Sequence, residues 1–176
     1  MSIVEEKAFD IRYTRLEDGA FLKKWLLEKD VLDHFSMKDE KEVDEMLKIW
    51  LGFSRYKSGL TACYKGVPCG ITTLFLMPYI KLVHHSLVYL IVDPKMQRKQ
   101  IGTSLLKNIE HLGKNYFRFE KLGFEVFGDG VIKHLLEKHE YKKIYTQKRY
   151  VKCAANSYKD RSYYEKEFTI GKKDGA

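Results

Sequence analysis

Apolar and polar residues alternate along Phe9-Asp10-Ile11-Arg12-Tyr13-Thr14-Arg15-Leu16 with the period of two that marks a strand. Past Glu17-Asp18-Gly19 the rhythm changes, and Phe21, Leu22, Trp25 and Leu26 recur at helical spacing. A turn over Val31 to Met37 leads to a second amphipathic helix. In it Val43, Met46, Leu47, Trp50 and Leu51 fall at i, i+3, i+4, i+7 and i+8 behind the acidic start Asp39-Glu40. Both tryptophans therefore have a place in a core. The runs Leu60 to Tyr64 and Val67 to Leu76, parted by Lys65-Gly66, predict a hairpin, and Leu82 to Val92 predicts a fourth strand that ends at Asp93-Pro94. Ile101, Leu105, Leu106, Ile109 and Leu112 return to helical spacing, with Gly113 as a stop. The remainder predicts a strand over Phe119 to Phe127, a short helix from about Gly130 to His139, and strands over Lys142 to Val151 and from about Arg161 to Thr169. This order implies an α/β (α+β) fold, a mixed and mostly antiparallel central sheet flanked by helices.

Composition bounds the reading without directing it. The 176 residues suit one domain over 1–176, with an ordered core of about 9–169 and a frayed polar tail from Gly171 to Ala176. The opening MSIVEEKAFD has neither the basic nor the apolar region of a signal peptide, and no apolar run approaches about 18 residues. A cytoplasmic protein without a membrane partner is expected. Cys63 and Cys69 could face each other across the predicted hairpin. In a reducing compartment they and Cys153 are expected as free thiols, and their spacing suggests no metal site. The net charge of +8 is uneven: residues 1–94 carry −1 and residues 95–176 carry +9. Nucleic acid, an anionic cofactor, an acidic substrate or a solvated basic face would each account for that excess.

One segment localises chemistry. Tyr89-Leu90-Ile91-Val92-Asp93-Pro94-Lys95-Met96-Gln97-Arg98-Lys99-Gln100-Ile101-Gly102-Thr103 carries a buried strand into a polar, basic turn and then into a helix. The first N–H groups of a helix have no partner within it, and they point out of its N-terminus together with the positive end of the helix dipole. Gly102 permits close approach of a ligand, and Arg98 and Lys99 add full charges, so a diphosphate would be held well. The bland alternative is a strand-to-helix turn whose basic residues sit in water.

Within this segment Val92-x-Pro94-x-x-Gln97-x-x-Gln100-x-Gly102 resembles the V-x-P-x-x-[Q/R]-x-x-G-x-[G/A] signature of the GNAT superfamily of acyl-CoA-dependent N-acetyltransferases, with Gln100 in place of the first glycine. The order of elements resembles that superfamily's from about Phe9 to Thr169. Leu135 to Tyr141 resembles its later L-Y-x-K-x-G-F element, whereas Phe119 to Phe124 matches in letters but stands too near Gln97 to leave room for a helix and a strand between them.

The resemblance implies acetyl-CoA as cofactor, with the pantetheine arm pairing to the backbone of Leu90, Ile91 and Val92, and the diphosphate held by Gln97, Arg98, Lys99, Gln100, Ile101, Gly102 and Thr103. It further implies a base at Glu125, flanked by Phe124, Val126 and Phe127, or at His84 or His85 at the start of the fourth strand. Alternation sends those two histidines to opposite faces. Leu136 stands where the superfamily often has an acidic tyrosine. His134, His139 or Tyr141 are conceivable replacements, and Asp129 stands where an asparagine often touches the cofactor.

The expected function is acetyl-CoA-dependent N-acetyltransfer to a primary amine by direct transfer, the acceptor being a small molecule or a protein N-terminus; a homodimer is left open. The alternative is a non-catalytic GNAT-like module that binds acyl-CoA or mediates interactions. A nucleic-acid partner is not expected, because Tyr141, Tyr145 and Tyr150 fall in predicted strands.

Overall fold

The computed structural model describes residues 9–169. Seven strands form one sheet in the order β1-β2-β3-β4-β5-β7-β6. They are β1 (Phe9–Tyr13), β2 (Gly59–Tyr64), β3 (Val67–Phe75), β4 (His85–Val92), β5 (Lys121–Phe127), β6 (Lys142–Ala154) and β7 (Ser157–Glu167). Every pairing is antiparallel except that of β4 with β5. The helices are α1 (Gly19–Leu26), the short α2 (Lys29–Leu32), α3 (Glu40–Gly52), α4 (Ile101–His111) and α5 (Ile132–Lys138).

The amphipathic stripes seen in the sequence cover opposite faces of the sheet. Leu22, Trp25 and Leu26 of α1 and Val43, Leu47 and Trp50 of α3 pack on Ile71 and Ile91. Leu105, Leu106 and Ile109 of α4 pack with Leu136 of α5 on Val88, Leu122, Phe124 and Val126. Both tryptophans are core residues, and the Trp50 indole N–H donates to Thr73 Oγ1 at 2.8 Å, so its polar edge is satisfied inside. The side chain of Asp39 caps α3 by accepting from the Glu42 amide at 3.0 Å. Cys63 and Cys69 are buried free thiols, and burial pushes the Cys69 thiol up to about 11.

Several boundaries differ from the sequence expectation. β1 stops at Tyr13, and Leu16–Asp18 forms a single 3₁₀ turn closed by Asp18, whose carboxylate accepts from Arg12, the Arg15 amide and Thr61. Leu82 is outside β4: Ile80–Leu82 is another 3₁₀ turn, and the strand begins at His85. The turn expected over Val31 to Met37 starts inside α2. The final strand begins four residues before Arg161, at Ser157, because β6 and β7 form a long hairpin that turns at Ala155-Asn156. The residues from Gly171 to Ala176 lie outside the described segment.

Candidate active site

Two neighbouring strands part company in the middle of the sheet. β4 and β5 pair over three residues only, His85↔Lys121, Ser86↔Leu122 and Leu87↔Gly123. Each then continues with its outer neighbour, β4 with β3 as far as Val92↔Gly70 and β5 with β7 as far as Phe127↔Arg161. The inner edges of both strands are therefore unpaired beyond that point, which leaves backbone donors and acceptors facing the gap. A cavity of about 820 Å³ fills it, lined by Val88 to Val92 of β4, Phe124 to Phe127 of β5, the turn ahead of α4, one side of α5, and Asp30, Val31, His34 and Phe35.

The N-terminus of α4 closes one wall of this cleft. Ser104 N to Gln100 O, at 3.0 Å, is the first backbone bond of the helix, so the amides of Ile101, Gly102 and Thr103 precede the ladder. The turn reaches the helix through two residues in the left-handed region, Arg98 (φ 63°) and Gln100 (φ 61°). Gln100 thus adopts the conformation that a glycine would take without penalty, at a cost on the order of 1 kcal/mol. The position of a Cβ on Gly102 would meet Leu135 Cδ2 at 3.4 Å, which fixes how near α5 lies.

Most of the sequence-derived site residues converge here. Leu90, Ile91, Val92, Gln97, Arg98, Gln100, Ile101, Gly102, Thr103 and Glu125 all line the cleft. Lys99 does not; it is exposed, with its ammonium 3.7 Å from Met96 Sδ. His84 is also elsewhere. It precedes the first residue of β4, at the end where β4 and β5 are still paired, and its carbonyl accepts from the Glu120 amide at 2.7 Å. His85 shares that end. Of the replacements for the missing tyrosine, His134 lines the cleft, whereas Tyr141 is buried behind α5.

Glu125 is held by a partner from across the sheet. Arg161 of β7 donates from Nη2 to Glu125 Oε1, and from Nη1 to Gln147 Oε1 at 2.7 Å and Tyr145 O–H at 3.3 Å. Its guanidinium lies against the rings of Tyr145 and Tyr150. Both members of the pair are mostly withdrawn from water, with side chains 17% and 16% exposed. Tyr89 lines the cleft on the same face, and burial, then the charge of Glu125, push its phenol up to about 12, so it remains a donor at neutral pH. Nothing local in the sequence marks Arg161 or Tyr89. The only available signal for Tyr89 was alternation, which puts it on the face opposite Leu90.

An open strand edge, a helix N-terminus and the carboxylate of a charged pair meet in one cleft. The sequence profile of the acetyltransferase (GNAT) family matches residues 24–141, more than half of the chain. The chain belongs to that family. GNAT folds also surround it among solved structures. A putative phosphinothricin N-acetyltransferase aligns with a TM-score of 0.80 at 13% identity, covering 92% of this chain and 99% of that one. The structure of yncA, a putative acetyltransferase from Salmonella typhimurium with its cofactor acetyl-CoA, aligns at 0.76 and 14% identity, covering 96% and 99%. The ribosomal-protein-alanine N-acetyltransferase from Brucella melitensis aligns at 0.73 and 16%, covering 90% and 99%. No curated protein sequence gives a significant match. Acetyl-CoA is the cofactor of the GNAT family, and the residues present fit it: an extended arm would meet the unpaired edge of β4, and a diphosphate would meet the α4 amides with Arg98 beside them. Among the described residues no cluster of metal-ligating side chains occurs, and no helix is long and apolar enough to cross a membrane.

Proposed function

We propose that this chain is an acetyl-CoA-dependent N-acetyltransferase that moves the acetyl group directly to a primary amine, on a small molecule or at a protein N-terminus. The observation that carries the reading is the parting of β4 from β5 at Leu87↔Gly123, directly facing the N-terminus of α4. Acetyl-CoA would supply a thioester whose carbonyl carbon the amine attacks, the C–N bond forming as the C–S bond breaks and CoA leaving as the thiolate, which takes a proton from water.

The chain's own residues then have separate tasks. The backbone of Leu90, Ile91 and Val92 orients the arm, and a β4 amide stabilises negative charge on the carbonyl oxygen. The amides of Ile101, Gly102 and Thr103, with Gln97, Arg98 and Gln100, hold the diphosphate. Glu125 takes the proton of the incoming ammonium, directly or through a water molecule. Arg161 is a positioning residue: occupying one carboxylate oxygen of Glu125, it leaves the other for that proton. Asp30, His34 and Phe35 border the acceptor side.

Thermal unfolding with increasing acetyl-CoA tests the binding half of the proposal. At 100 times its Kd the ligand adds about 2.7 kcal/mol of stability, and Arg98→Glu weakens the shift. A melting temperature unmoved by millimolar acetyl-CoA would count against the proposal.

A further inference from the structure

The end of the sheet opposite the cleft is unusually apolar. The last residues of β1 and β3 and the first of β2, β4 and β5 lie at this end, stepped rather than level: His85 pairs with Lys121 and Phe75 with Leu87, whereas Tyr13 stands further back, level with Leu60, Thr72 and Leu90. The segments joined to these strand ends carry seven of the fifteen exposed large hydrophobic residues among those described, and Tyr13 at the end of β1 is an eighth. The loop between β3 and β4 holds the most exposed of them, with Tyr79 69% and Ile80 88% exposed and Leu82 and Val83 exposed beside them. Exposed Tyr56 ends the turn whose Phe53 ring lies 4.8 Å from that of Phe75, and exposed Tyr116 precedes Glu120, whose amide donates to the His84 carbonyl at 2.7 Å.

Cations are interleaved with these residues. Arg15, Arg55, Lys57, Lys81, Lys114 and Arg118 are exposed on the same loops, against the exposed acids Glu17, Glu120 and Glu167. A second copy brought to this face would oppose like charge with like. Nucleic acid would gain little from Ile80, Leu82 and Val83, which cannot stack on bases. Tyrosines, protruding aliphatic side chains and cations are together the composition that settles at the interface of an anionic bilayer. We propose that this end of the molecule docks on an anionic lipid surface, inserting Tyr79 and Ile80 and leaving the cleft turned toward water. The expectation of no membrane partner rested on the lack of a spanning run, and surface contact requires none. The proposal is also independent of the transferase reading.

Co-sedimentation of the full chain with vesicles tests it, using phosphatidylcholine alone and phosphatidylcholine mixed with phosphatidylserine. Binding is expected to the mixed vesicles, to weaken as salt rises, and to fall about tenfold or more in Tyr79→Ser/Ile80→Asp. A Lys143→Glu/Lys152→Glu variant, altered on outer strand β6, keeps its binding. The acetyl-CoA melting shift serves as a fold control and is expected to be unchanged in the Tyr79/Ile80 variant. No binding to mixed vesicles, binding indifferent to Tyr79 and Ile80, or a dimer that those substitutions dissolve would overturn the proposal.

Discussion

Gln100 and Asp18 show how single residues hold the loops on which the site depends. Gln100 accepts a left-handed backbone so that α4 can start facing the cleft. Gln100→Gly removes that strain and is expected to raise the melting temperature by about 2–4 °C, the range for about 1 kcal/mol in a chain of this size. A lower melting temperature would mean that the glutamine side chain makes a contact worth more than the strain. For Asp18, burial by itself favours the neutral form. The paired bonds from Arg12, the Arg15 amide and the Thr61 hydroxyl outweigh it and hold the carboxyl below its ordinary 3.8. A carboxyl depressed in the fold stabilises it above the unfolded value, and that contribution disappears as pH falls through the folded one. Asp18→Asn should therefore lower stability at neutral pH by about 3 kcal/mol and flatten the loss below about pH 4. Urea midpoints measured across pH check both effects, and parallel curves for the two proteins would contradict the assignment.

Among the elements, β5 carries a constraint that bears on the Glu125–Arg161 pair. A Cβ on Gly123 would lie 1.9 Å from the Tyr163 hydroxyl oxygen, and the Tyr163 ring is stacked on Tyr145, which also bonds Arg161. Gly123→Ala is expected to cost about 1–3 kcal/mol through overpacking and to depress turnover more than acetyl-CoA binding, because Tyr163 must press on the residues that hold Arg161. Denaturant unfolding and steady-state kinetics check this, and an unchanged kcat would contradict it. Local periodicity revealed the elements on both faces of the sheet, and the Val92 to Gly102 motif marked the wall of the cleft where α4 begins, because both signals lie within one or two turns of chain. Arg161 was not legible, since it reaches Glu125 only through the β5 and β7 register. His84 could be assigned to the neighbourhood of β4 from sequence, but whether that end of the strand opens or stays paired is a property of two strands. The β6 and β7 hairpin is longer than expected because β6 is exposed and the start of β7 is polar and only half-buried, so buried alternation had little to mark there.

At the scale of the whole molecule the +9 of the second half divides between uses. Only Arg98 and Lys138 among its lysines and arginines line the cleft, while Lys142, Lys143, Lys148, Arg149 and Lys152 lie on the exposed outer strand β6. Lysines and bulges on such an edge discourage pairing with another sheet, so much of the basic excess belongs to a solvated face. What remains central is the cleft that two parting strands and one helix end create. Release of CoA thiol, followed with acetyl-CoA and a panel of primary amines and with the acetylated product identified by mass, tests that centre most directly. Release is expected to require an amine and to fall by about 10²–10⁴-fold in Glu125→Gln with the acetyl-CoA melting shift retained; acetyl-CoA binding without amine-dependent release, or release indifferent to Glu125, would contradict the proposed transfer.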